Sequence, residues 1–160
     1  MASWKGWKQW VRYRNQEMEI RNLAVGMNST VDLTQDLHII MLDYDIDEQI
    51  KVEESIQEAQ DFWGLSDCYI FKTEHGFHAF FWYDLVPYDR LKMIIAFAKY
   101  VDPMYKYISR FYDHKTIRVA GKYKHKDIKF VKIIPGVREP SPEEQQIGMM
   151  KRQEHTYLLG

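Results

Sequence analysis

A single cysteine among 160 residues, Cys68, has nothing to pair with inside the chain. An internal disulfide and a cysteine-built zinc site are therefore excluded, and a reducing compartment suits such a chain. Long apolar runs are missing as well. No stretch approaches the roughly 20 residues that span a bilayer, and the polar, tryptophan-rich start lacks the apolar stretch of a signal peptide. The expectation is a soluble, cytoplasmic protein with no membrane partner. Nor is there an excess of positive charge: 22 Lys and Arg stand against 23 Asp and Glu, a formal charge of -1. A uniformly cationic coat is excluded, so any contact with nucleic acid must come from a local patch. Repeats and low-complexity tracts are absent too.

What is present is enough apolar material for one core, 46% of residues with 15% aromatic, in a chain the size of one ordinary domain. The charges are segregated along it. From Asp32 to Asp61 there are ten acidic residues and one lysine, whereas Tyr105 to Arg138 holds ten Lys or Arg against Asp113 and Asp127. One pole suits cations and the other suits phosphates.

Trp4, Trp7 and Trp10 recur at spacing three in a basic opening segment, which predicts a helix over 3–22 with aromatics along one side. Such a helix either packs on the domain or offers Trp7 and Trp10 to single-stranded nucleic acid, because indoles stack on bases. The apolar run Leu37–Leu42 predicts a buried strand ending at Asp43-Tyr44-Asp45. A helix follows, with Val52, Ile56, Ala59 and Trp63 at helical spacing, Asp47 as N-cap and Gly64 as stop. Cys68–Thr73 and Phe77–Tyr83 predict a hairpin turning at Glu74-His75-Gly76. Pro87 opens a second helix whose apolar face is Leu91, Ile94, Ile95, Ala98 and Val101, closed by Asp102-Pro103. Two strands, Thr116–Ala120 and Ile128–Ile134, are joined by a basic turn carrying Lys122, Lys124 and Lys126. These elements predict one domain over 1–138, of α+β class, with an RRM-like antiparallel or mixed sheet and helices mainly on one face. Residues 139–160 read as a polar tail or peripheral helix.

Three clusters carry chemistry. Asp43 and Asp45 are one residue apart at a strand end, so their side chains leave on the same side. Carboxylates that close repel unless a cation lies between them, and hard oxygen ligands suit Mg²⁺ or Mn²⁺. Beside a solvated strand end, this is the metal-binding interpretation of the pair. Around the hairpin, Lys72, Thr73 and His78 supply donors for phosphate oxygens, although His78, in phase with Phe80 and Trp82, also fits a hydrogen-bonded histidine on a half-buried face. In the third cluster Arg118 projects from a strand, and its guanidinium fork can take two phosphate oxygens while Lys122, Lys124 and Lys126 widen the cationic surface, or simply form a solvated one.

Taken in order, the three clusters resemble the archaeo-eukaryotic primase superfamily, in particular its small primase-polymerase catalytic domains. The correspondence runs from about Leu37 to Ile134: Asp43 and Asp45, then Thr73, Gly76 and His78, then a third acid, Arg118 and Lys122. The resemblance implies that Asp43, Asp45 and Asp102, or Asp113 as the alternative third acid, bind two divalent ions. It further implies that Lys72, Thr73, His78, Arg118 and Lys122 hold the nucleotide and that Lys124, Lys126, Trp7 and Trp10 meet nucleic acid. The activity implied is metal-dependent nucleotidyl transfer, priming or extending a strand from NTPs or dNTPs on single-stranded DNA in replication. A helicase or other replication proteins would then be partners, and virus- or plasmid-encoded members work in the host cytoplasm. The departures are Thr73 where serine is common and Glu74-His75 in the turn. A non-catalytic RRM-like module, stacking bases on Phe71, Phe80, Trp82 and Tyr123, is the competing interpretation.

Overall fold

The computed structural model describes residues 24–32, 34–121 and 128–159; Trp7, Trp10 and the helix expected over 3–22 lie outside them, as do Lys122, Lys124, Lys126 and Tyr123. The described chain is α+β. Strands β1 (Ala24–Asn28), β2 (Thr30–Asp32) and β3 (Leu37–Tyr44) lead into helix α1 (Gln49–Trp63). Strands β4 (Cys68–Lys72) and β5 (Phe77–Val86) form the hairpin, followed by helices α2 (Tyr88–Phe97) and α3 (Pro103–Ile108). Strands β6 (Thr116–Gly121) and β7 (Lys129–Ile134) and helix α4 (Pro142–Leu159) complete it. No helix among the described residues is long and apolar enough to cross a membrane.

Five strands form one sheet in the order β2-β3-β5-β4-β7, every pairing antiparallel. β3 and β5 lie at its centre, which is why both are apolar on each face rather than alternating. One face carries Ile40, Leu42, Phe77, Ala79 and Phe81, which pack under α1 and α2 through Val52, Ile56, Leu91 and Ile95. The other carries Ile39, Met41, Phe71, Phe80 and Trp82, covered by Met27, Ile117 and Val119 of a two-stranded β1-β6 sheet. Gly64 ends α1 with a left-handed backbone (φ 66), as its position predicts.

Several expectations are corrected. β6 and β7 do not pair as a hairpin: β6 joins β1, and β7 joins β4 at the edge of the main sheet. Asp47 does not cap α1. Glu48 occupies that position without a side-chain bond, and Asp47 pairs with Lys72 at 3.1 Å. α2 stops at Phe97, with Ala98 extended, so Val101 is outside it and Asp102 does not close it; the Asp102 carboxylate instead caps α3 by accepting from Met104 N (3.2 Å), with Pro103 in the first turn.

Of the two expectations for the segment after 138, tail or helix, the helix is the one found, α4 over Pro142–Leu159. α4 lies across the second sheet face, so the helices are not gathered on one side; its buried residues are Gly148, Lys151 and His155. A Cβ on Gly148 would collide with the Trp82 carbonyl of β5. Lys151 Nζ donates to Asn28 O at 2.8 Å, and the His155 ring sits 4.6 Å from Phe80 and 5.2 Å from Trp82. Arg138 ties α4 to the sheet, donating to the buried carboxylate of Asp84 (2.6 Å) and through both terminal nitrogens to Glu144 (2.9 Å each). Asp84 also accepts from Ser66 N and Oγ. Arg138→Ala leaves Asp84 buried with its counter-charge removed, and it should destabilise the fold by about 3 kcal/mol. Urea unfolding measures this, and an unchanged midpoint would mean that α4 is not anchored there.

Candidate functional site

The site begins with register. Asp43 of β3 is the direct cross-strand neighbour of His78 of β5. Both side chains emerge on the face that also holds Met41 and Phe80. His78 Nε2 stands 3.7 Å from Asp43 Oδ1, too far for a hydrogen bond. Burial, then the positive fields of His155 and Arg118, holds the imidazole down to about 3, so near neutrality the ring is uncharged and this is not an ion pair. His78 Nδ1 is buried with no hydrogen-bond partner in the protein.

Asp102 reaches the same place through the backbone: its N–H donates to Asp43 O at 2.8 Å. Asp43, Asp45 and Asp102 line one cleft of about 360 Å³ together with Thr73, Glu74, His75, His78 and Arg118. Asp45 lies one residue past the end of β3 and is exposed. Asp113, the alternative third acid, is exposed elsewhere and bonded to His114 at 2.9 Å. Arg118 is exposed because β6 alternates: Ile117 and Val119 face the core and Arg118 faces away from it.

The hairpin turn closes the cleft at one end. Thr73 N donates to Gly76 O (2.9 Å), and Thr73 Oγ1 accepts from Gly76 N (3.0 Å), which leaves the hydroxyl proton available. The turn lies directly over the end of β3, so a Cβ on Gly76 would overlap the Tyr44 carbonyl and come to 3.1 Å from Asp45 Cα. Only glycine allows that approach. Lys72 is not brought into the cleft. Its ammonium donates to Thr73 O (2.7 Å) and Gly76 O (3.2 Å) and pairs with Asp47, so it braces the turn from the other side.

One residue of the site went unassigned in the sequence. Lys115 is buried, donates to Tyr105 O at 2.7 Å and lies 3.8 Å from the centre of the Tyr105 ring. Burial pulls its ammonium down to about 8 against the opposing fields of Asp43 and Asp102. The available signal was its phase: Lys115 is in step with Ile117 and Val119, the buried side of β6, where an unpaired cation is out of place.

Among the described residues, the rings expected to form an RRM-like stacking surface are not on offer. Phe80 and Trp82 are fully buried, stacked on each other at 4.4 Å, and covered by His155 of α4; Phe71 is buried beside them. A larger groove of about 550 Å³ runs between α1 and α2, but its only cation, Lys99, is paired with Glu58.

Three carboxylates around one cleft form a hard-oxygen donor set. Among the described residues no group of three or more His, Cys, Asp or Glu already stands in ligand geometry. The electrostatics nevertheless fit a cation: Asp43 is pushed up to about 6, chiefly by burial and then by the negative charges of Asp102 and Asp45. No family model, no curated protein and no solved structure matches the chain, so its function is read from the chemistry of this cleft.

A raised carboxyl has a defined sign. Below pH ~3 Asp43 is protonated folded or unfolded and costs nothing. As pH rises from there to about 6 the unfolded chain ionises first, so stability falls, and it stays lower above that range. In metal-free buffer Asp43→Asn should therefore be more stable than the parent protein at pH 7, by about 1 kcal/mol after allowance for solvent screening, and equal to it at pH ~3. Thermal unfolding across pH measures this. Parallel curves for the two proteins would remove the electrostatic account of the cleft.

Proposed function

We propose that the chain is a metal-dependent nucleotidyltransferase, a small primase-polymerase resembling the archaeo-eukaryotic primase superfamily, acting on NTPs or dNTPs over single-stranded DNA. The observation that carries this reading is the convergence on one cleft of Asp43, Asp45 and Asp102 with His78, Thr73 and Arg118. These residues come from four separate segments of the chain. An acidic end beside a cationic end matches a triphosphate, whose charge needs both metal and arginine.

Mg²⁺ or Mn²⁺ held by Asp43, Asp45 and Asp102 would neutralise developing charge on the phosphates. The protein's own groups do the rest. Arg118 binds two phosphate oxygens through its guanidinium fork. His78, held neutral, offers one ring N–H to a phosphate oxygen and adds no charge. The Thr73 hydroxyl donates from the turn, and Gly76 lets that turn close over β3. Lys115 sits behind Asp43 and Asp102 and limits their mutual repulsion before substrate arrives. In the reaction a 3′ hydroxyl attacks the α-phosphorus, the bond to the β-phosphate oxygen breaks, and pyrophosphate leaves. Positioning and charge neutralisation are the protein's main contributions to such a step.

The test is incubation of the purified chain with a single-stranded template, labelled nucleotides and Mg²⁺ or Mn²⁺. Dinucleotide formation or primer extension is expected, reduced at least about 100-fold by Asp43→Ala with Asp45→Ala. Neither product, with binding of single strands that ignores EDTA, would leave a non-catalytic module. Degradation of the template would point instead to a nuclease using the same acids.

A further inference from the structure

Residues 102–115 form one excursion that starts at the cleft and is fixed to the fold at both ends. At the start, Asp102 N–H donates to Asp43 O. At the finish, Lys115 N donates to Ser29 Oγ and its ammonium donates to Tyr105 O. Between them, Tyr105 Oη donates to Met41 O of β3 at 2.8 Å, and Tyr88 Oη donates to Ser109 O at 2.8 Å. The backbone of the excursion is thus held against the fold from beneath.

Its outer side is aromatic and cationic. Tyr107, Phe111 and Tyr112 are 55%, 63% and 59% exposed, three large rings within six residues, although the domain has buried cores on both sheet faces. Tyr107 and Phe111 meet edge to face at 5.1 Å, leaving ring faces open to solvent. Arg110 lies between them in sequence, and among the described residues no carboxylate pairs with it. The one acid in 103–115, Asp113, is bonded to His114. Scattered exposed rings need no explanation, but a cluster beside an unpaired guanidinium and next to a cleft does.

We propose that this excursion is a base-stacking surface for single-stranded nucleic acid, feeding the cleft that begins at Asp102. The proposal rests on the nucleotidyltransferase reading for its purpose, but not for its chemistry. Bases stack on Tyr107, Phe111 and Tyr112, and Arg110 holds the backbone phosphate between them. Charge distinguishes this surface from the exposed rings of Phe62 and Phe97, whose groove is flanked by Glu58 and Asp61 and repels phosphate. Tyr107 follows Asp102 by five residues, an axial rise of about 7.5 Å on a helix.

Binding of a short fluorescein-labelled oligothymidylate to the full chain, followed by anisotropy in EDTA, tests the surface apart from catalysis. Tyr107→Ala with Phe111→Ala should raise Kd at least about tenfold, while Phe111→Tyr preserves affinity. Arg110→Ala should flatten the dependence of log Kd on log salt by about 0.7. All of these residues are exposed, and circular dichroism confirms that each variant folds. No binding by the parent chain, or binding unaffected by the double variant, overturns the proposal. So does a change of oligomeric state in that variant without loss of DNA affinity, which would mark a contact between copies. Patch-dependent binding without synthesis sinks the catalytic reading and keeps this surface; synthesis with patch-independent binding does the reverse.

Discussion

Everything described above depends on the antiparallel register of β3 against β5. Side chains alternate along a strand, so pairing Asp43 with His78 also sends Met41 and Phe80 to one face and Leu42 and Ala79 to the other. A slip of one residue would exchange the faces, place carboxylate under α1 and expose the aliphatic core. The large apolar cores on both sides forbid that slip. Burial thus holds the acids in position, although none of the buried apolar residues takes part in their chemistry.

The cleft is assembled from segments whose charges oppose each other. Asp43, Asp45 and Asp102 arrive from the acidic half of the chain and the excursion after α2, while Arg118 and Lys115 arrive from the basic half. Burial disfavours each charged form more than the opposing charges favour it, which is why Asp43 is raised and Lys115 lowered from ordinary values. His78 is different: its neutral ring places a donor without adding to the balance. Such a site is strained when empty of counter-ions and relaxed when they are supplied, a property suited to binding that is conditional on a charged ligand.

Much of this was legible in the sequence where local pattern and tertiary role agree. The apolar run before Asp43, the turn at Gly76, the stop at Gly64 and the start of the helix after Pro87 all behave as their residues dictate, whereas that helix ends at Phe97, short of the expected stop at Asp102. Asp102 was legible as a candidate through resemblance, and the hydrogen bond to Asp43 O gives it a physical place. The rest was hidden for identifiable reasons. β6 and β7 are adjacent in the chain but pair elsewhere, and no local signal names a distant partner. α4 buries Gly148, Lys151 and His155, so its inner face has no apolar stripe and reads as polar. Lys72 lies beside the turn in sequence but on the wrong side of it in space.

The position of α4 has a consequence for how the protein is made. Phe71, Phe80 and Trp82 lie upstream, yet the helix that seals them, 142–159, is the last element described. During synthesis the hairpin emerges well before its cover, leaving an aromatic sheet face open to solvent and to neighbouring chains for that interval. The burial that secures the register is therefore completed only once residues 142–159 have emerged and folded back onto the sheet.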